Sequence, residues 1–262
     1  MSSIRHSVCR WCYQDIPLDD LCIASKEMGI QSVELVMPDD MPVLAKHGLE
    51  CAMISFPTAT TPDGTLVGRI EKAFNRIEHH ETLITIYEPH LKAAANAGAK
   101  QVICFPGNRE GMSDEQGLEH CAIGLRRLLP LAEKLGITLS MELLNSKVDH
   151  PDYMCDHTAW GVALCQMLDS PNFKLLYDIY HMQIMDGDVI ATIRENHRYI
   201  SHYHTGGVPG RHEINASQEL FYPAIMQAIV ATGYQGFVGQ EFIPVGKDPL
   251  ASLKEGIQIC SV

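Results

Sequence analysis

One phrase recurs along this chain: a helix-forming run, a glycine, a short turn and then a β-rich run. It is read in KEMGIQSVEL, NAGAKQVICF, EKLGITLSME and ATGYQGFVGQE. In each, glycine follows the last apolar-periodic residue, where a helix C′ position favours it. Helices that hand directly to strands in this way are the second half of a βα unit, whose strands run parallel.

Eight strand candidates follow from composition and period: residues 6–11, 32–36, 50–55, 101–105, 138–143, 174–178, 200–204 and 237–241. Several are apolar on both parities, as parallel strands buried on both faces are. Helical stretches lie at 18–28, about 78–97, 113–135 and before Gly233. Eight strands with their helices in 262 residues predict the α/β class and a (β/α)8 TIM barrel, as a single domain over residues 1–262. An open doubly wound sheet usually carries a glycine-rich phosphate loop after its first strand. Here Cys12, Tyr13, Gln14 and Asp15 follow it, and neither a Walker nor a GxGxxG motif occurs.

Charge and cysteine usage narrow the function classes. The formal net charge is −12, and no basic cluster exceeds Arg126-Arg127. A nucleic acid partner needs clustered cations, so none is expected, nor is an anionic membrane surface. No apolar stretch reaches the length of a membrane span, and no signal peptide is visible, so a cytoplasmic setting is expected. The nine cysteines are odd in number and mostly sit in apolar runs, which suits reduced core thiols. Cys9 and Cys12 have CxxC spacing, but no second pair follows, and core packing is the expected role.

In a barrel, chemistry collects at the C-terminal ends of the strands. The last four strands finish on Glu142 (SMELLN), Asp178 (LLYDIYH), His204 (SHYHTGG) and Glu241 (VGQEF), each about one βα unit from the next. Each alone is as readily a helix cap or salt-bridge partner. Four in succession after buried apolar runs would carry desolvation costs with no compensating ligand. Three carboxylates and an imidazole form a hard donor set suited to one Mn²⁺, Mg²⁺, Co²⁺ or Zn²⁺ ion. His181, three residues after Asp178, could face the same mouth or simply start a helix. Arg211, in the glycine-containing loop HTGGVPGRHEI, could bind a substrate oxygen or stay solvated. His212 and Glu213 are weaker candidates in that loop. Glu34, Asn108 and Arg109 could line the pocket, with salt bridging at least as good an account.

The segments MELLN, KLLYDIYHMQIMDGD, HYHTGGVPGRHEINA and YQGFVGQEF resemble the xylose isomerase-like barrel superfamily, within its sugar isomerase/epimerase group. The hydroxypyruvate isomerase branch is the nearest in pattern. The likeness is most specific over residues 138–242; before that it rests on the βα rhythm and on NAGAKQVICFPGNR. It implies metal ligands at Glu142, Asp178, His204 and Glu241, and a proton-transfer pair in Glu142 and Glu241. It also implies a substrate-oxygen histidine at His181 and a substrate-binding arginine at Arg211. Two positions depart from the branch. His204 stands where hydroxypyruvate isomerases often carry Gln, whereas ketose 3-epimerases and inosose dehydratases carry His. The sequence LLN follows Glu142 where many hydroxypyruvate isomerases read P-I-N.

The expected activity is therefore metal-dependent isomerisation or epimerisation of a small hydroxy-carbonyl compound, a sugar or hydroxy-keto acid, through an enediolate. A dehydratase of an inosose-like ketone, or a non-catalytic sugar-binding barrel, would share much of the pattern. An apurinic endonuclease on this fold would need extra histidine ligands and a basic face, against which the acidic balance speaks. Barrels of this group are often dimers or tetramers, so the resemblance leaves a homo-oligomer open.

Overall fold

The computed structural model describes residues 4–262. Among them the chain runs β1 (Arg5–Cys9), α1 (Leu18–Glu27), β2 (Ser32–Glu34), α2 (Met41–Lys46), the hairpin β3 (Ala59–Thr60) and β4 (Leu66–Val67), and α3 (His80–Asn96). It continues with β5 (Gln101–Cys104), α4 (Asp114–Leu135), β6 (Thr138–Glu142), α5 (Thr158–Leu168), β7 (Phe173–Asp178), α6 (Ile179–Met185) and α7 (Val189–Asn196). β8 (Ile200–Thr205), α8 (Tyr222–Ala231), β9 (Phe237–Gln240) and α9 (Pro249–Cys260) complete it.

Seven strands form one parallel sheet in the order β2-β1-β9-β8-β7-β6-β5. The gap between β2 and β5 is filled by residues 50–54, which bond to both neighbours. Val33 N donates to Glu50 O (3.2 Å) and Leu35 N to Met53 O (2.7 Å) on one side. On the other, Ile54 N donates to Gln101 O (2.9 Å) and Ile103 N to Ile54 O (3.1 Å). The predicted TIM barrel is thus closed, but its third stave is a bridged, irregular segment and not the regular strand expected at 50–55. The physical reason is local: Ala52 N spends its proton on the Ser32 hydroxyl (2.8 Å), and Leu35 takes a left-handed φ of 57°. Both interrupt a ladder.

Helix ends follow the sequence pattern. Gly29, Gly98, Gly136 and Gly233 all have positive φ, the conformation a helix terminus needs and side chains disfavour. Ser113 caps α4 by accepting from Gln116 N. The hairpin β3–β4 had no sequence signal. The first strand stops at Cys9, two residues earlier than expected, and a 3-10 turn over Arg10–Tyr13 carries Trp11 across the barrel mouth.

The apolar core surrounds the strands and lies under the helices, with Val8, Val33, Val102, Leu139, Leu175, Leu176 and Val238 all fully buried. All nine cysteines are free thiols, eight of them buried, in keeping with packing as their role. Among the described residues no helix is long and apolar enough to cross a membrane.

Candidate metal centre

Parallel strands in register bring side chains at equivalent positions to one level, and period two sends alternate residues to the same face. Met141 on β6 is paired with Leu175 on β7, and Asp178 on β7 with His204 on β8. Glu142 and Asp178 therefore end their strands near His204, and Glu241 follows β9 by one residue. One ligand atom from each of Glu142, Asp178, His204 and Glu241 lies within 4.8 Å of those of the other three. All four side chains are buried. The four residues expected from strand ends do converge.

The cluster is crowded with negative charge. Burial and the neighbouring Glu241 raise the affinity of Glu142 for a proton. Burial raises that of Asp178 too, against the pull of Arg211. For Glu241 burial is outweighed: the Arg211 guanidinium and His204 hold its carboxyl well below the usual range. His204, which burial alone would leave neutral, is driven toward its charged form by Cys9 and Glu241.

Arg211 Nη2 contacts Asp178 Oδ2 (3.1 Å) and Glu241 Oε2 (2.5 Å). It arrives on a tight loop in which it has a φ of 59°, and its guanidinium lies 5.1 Å from the Trp11 ring and 5.5 Å from that of Tyr180. The loop depends on Gly207, where a Cβ would fall 2.3 Å from Glu213 O. Trp11 Nε1 donates to the other oxygen of Glu241 (2.7 Å).

His181 is fully buried beside the cluster, with Nε2 3.7 Å from Asp178 Oδ2. Its Nδ1 accepts from the Asn145 backbone N–H (3.1 Å), which leaves the proton on Nε2. Burial depresses its proton affinity well below the ordinary histidine range, so it is a neutral donor whose Nε2 has no protein partner.

The donor set fits a divalent cation. Three carboxylates face one guanidinium, which contacts only Asp178 and Glu241, and one imidazole, so positive charge is in deficit. Glu142 Oε1 is buried without a hydrogen-bond partner, and so is His204 Nδ1, which faces Glu241 Oε2 at 2.8 Å without hydrogen-bond alignment. An oxygen-rich set of this kind suits a hard ion that keeps open positions.

Above the cluster lies a cavity of about 400 Å³. Glu142, Glu241 and Arg211 form its polar end, and Trp11, Phe56, Phe105 and Leu144 contribute to an apolar wall. His150 also lines it. Several of these had no sequence signal: His150 sits in the irregular stretch between β6 and α5, and Phe56 follows the irregular stave. Trp11 was within reach of the strand-end rule, because it follows β1 directly. Glu34 does not line the cavity; it lies fully buried against His202 and His204. Arg109 is tied to Asp156 and Asp114, as the salt-bridge account had it. Asn108 bridges to Tyr153 through its backbone. Glu213 accepts from Val245 N, Gly246 N and the Ser252 hydroxyl, and His212 bonds Ile243 O, so both secure the loop and neither reaches the cavity.

Comparison with known proteins places this architecture. A family model described as "Xylose isomerase-like TIM barrel" matches residues 23–260. A Homo sapiens protein named "Putative hydroxypyruvate isomerase" is 38% identical over 106 residues, covering 40% of this chain and 38% of that protein's length. A "2-oxo-tetronate isomerase" of Pectobacterium atrosepticum is 26% identical over 247 residues and 90% of each chain. Among solved structures, an "AP endonuclease, family 2" from Brucella melitensis superposes with a TM-score of 0.80 at 24% identity, over 98% of this chain and 97% of that one. A D-psicose 3-epimerase from Clostridium cellulolyticum H10 gives 0.78 at 15% identity, over 99% and 100%. At these identities the structural likeness is one of fold.

Proposed function

This chain belongs to the xylose isomerase-like TIM barrel family, and on that premise we propose that it is a divalent-metal-dependent isomerase or epimerase of a small hydroxy-carbonyl substrate. One observation carries the proposal: Glu142, Asp178, His204 and Glu241 gather their donor atoms within 4.8 Å of one another in buried positions. Glu142 and Glu241 line a cavity of about 400 Å³, which sets a chamber of small-molecule size beside the cluster. The isomerase names carried by the relatives support the same reaction class.

In this account the four residues hold one ion of the Mn²⁺, Mg²⁺, Co²⁺ or Zn²⁺ type. When bound, such an ion supplies Lewis acidity toward adjacent substrate oxygens. The rest of the chemistry falls to the protein. One glutamate removes the proton from the carbon next to the carbonyl, and the other delivers a proton to the neighbouring carbon or the opposite face. Glu142 and Glu241, the two cluster carboxylates that line the cavity, are the pair assigned to these two tasks. His181 offers its Nε2–H to a substrate oxygen, and Arg211 opposes the negative charge that builds on the oxygens. The apolar wall keeps water from the reacting carbon.

The test is Glu241→Gln, assayed by isomer exchange with hydroxypyruvate and a panel of ketoses. It should leave the circular dichroism spectrum unchanged and remove turnover by about 1,000-fold or more. Wild-type turnover in that variant sinks the mechanism.

A further inference from the structure

Glu34 ends β2 with no exposure to solvent, and no step of the proposed proton transfer uses it. Its Oε1 lies 2.7 Å from Nε2 of His204 and 2.8 Å from Nε2 of His202. An ionised carboxylate only accepts, so both Nε2 atoms carry protons toward it. A protonated Glu34 could donate to just one of them, leaving the second contact unsupported. The opposite edge of the His204 ring faces the site: Nδ1 is 2.8 Å from Glu241 Oε2 and 3.4 Å from Glu142 Oε1. The imidazole is therefore strung between one carboxylate below and the ligand carboxylates above.

The surrounding strands leave space for this arrangement. Gly239 on β9 is in register with His204, and a Cβ there would lie 2.8 Å from Glu34 Oε1 and 2.9 Å from His204 Cδ2. On another side Cys9 Sγ stands 3.6 Å from both Glu34 Oε1 and His204 Nε2. The 2.7 Å contact between Glu34 and His204 is hydrogen-bond length. It is shorter than the separation of roughly 3 Å or more between two ligands that each sit about 2 Å from one ion. This inner group supports the outer cluster and does not form a second ion site.

We propose that Glu34 is the positioning residue of the metal centre, holding the Nε2–H of His204 so that Nδ1, which gives up its proton when an ion binds, is turned toward Glu142, Asp178 and Glu241. The inference rests on the divalent-ion reading given under Proposed function. A hydrogen-bonded carboxylate behind a ligand imidazole sets its orientation and increases its basicity, and loss of such a partner costs about tenfold to hundredfold in metal affinity.

The experiment measures Zn²⁺ affinity by chelator competition in the wild type, Glu34→Gln and Glu34→Met, with thermal melts of the metal-free proteins alongside. Glu34→Met should bind about tenfold to hundredfold more weakly, and Glu34→Gln, which keeps one acceptor oxygen, should fall between it and the wild type. Folded variants that bind as tightly as the wild type would overturn the inference while leaving the metal centre standing. A wild type that binds none of Zn²⁺, Mn²⁺, Co²⁺ and Mg²⁺ would remove the metal reading itself, and this inference with it. If neither variant folds, the 15N–1H spectrum of Zn²⁺-loaded wild type decides: a proton on His204 Nε2 supports the assignment, and a proton on Nδ1 overturns it.

Discussion

At the scale of single residues, the site is a balance of charges that no member could hold alone. Three buried carboxylates surround Arg211, whose guanidinium contacts Asp178 and Glu241. Arg211→Lys keeps the charge but loses the planar fork that lies near the Trp11 and Tyr180 rings. It should lower kcat/KM by about tenfold to hundredfold, on the order of 2 kcal/mol. Steady-state kinetics with unchanged metal content would check this, and wild-type kcat/KM would contradict it. The proposed role of His181 is different, that of a neutral donor whose Nδ1 is held by Asn145. His181→Ala should reduce kcat/KM by about 100-fold, roughly 3 kcal/mol, while Zn²⁺ affinity stays within about twofold. A large fall in affinity would make His181 a ligand instead of a substrate contact.

At the scale of elements, the strands and their terminal residues were legible because the signal is periodic and repeated. Helix, glycine and strand recur, and Glu142, Asp178, His204 and Glu241 each occupy the same place in their unit. The third stave was misread because its pattern is apolar enough for a strand while Ala52 N is diverted to Ser32. Nothing in the residue types at 50–55 encodes that diversion. His150 and Phe56 lie in irregular segments, where long-range packing alone decides which way a side chain turns. Glu34 was singled out, yet its partners His202 and His204 are distant in sequence, so its burial under them could not be read from one strand. Gly239 marks the same limit: only the packed barrel reveals why the position has no side chain. Gly239→Ala should force Glu34 and His204 apart, lowering stability by roughly 1–3 kcal/mol and weakening Zn²⁺ binding. Urea unfolding with chelator competition would measure both, and an unperturbed variant would show that the pocket can give.

At the scale of the whole molecule, buried neutral histidines couple stability to pH. Burial lowers His6 to about 4 and depresses His80, His90 and His150 as well. Each has a folded value below its unfolded one of about 6.5, so the unfolded chain binds protons that the folded chain refuses. The stability they contribute is present above pH 6.5 and is lost as pH falls toward the folded values. For His6 alone the full loss is roughly 3 kcal/mol. Urea midpoints should therefore fall between pH 7.5 and pH 4.5, less steeply in His6→Gln than in the wild type. Parallel profiles for the two proteins would contradict this assignment.

The metal centre itself is tested most directly by the metal content of the purified protein and the metal dependence of its unfolding, in the wild type and in Glu142→Ala/Asp178→Ala. The wild type should carry about one equivalent of a divalent ion, and at a hundredfold excess over Kd that ion should add about 2.7 kcal/mol of stability. The double variant should show neither. A wild type that holds no divalent ion and whose unfolding ignores added Mn²⁺, Mg²⁺, Co²⁺ and Zn²⁺ would contradict the account. Glu142, Asp178, His204 and Glu241 would then serve some other end within the same barrel.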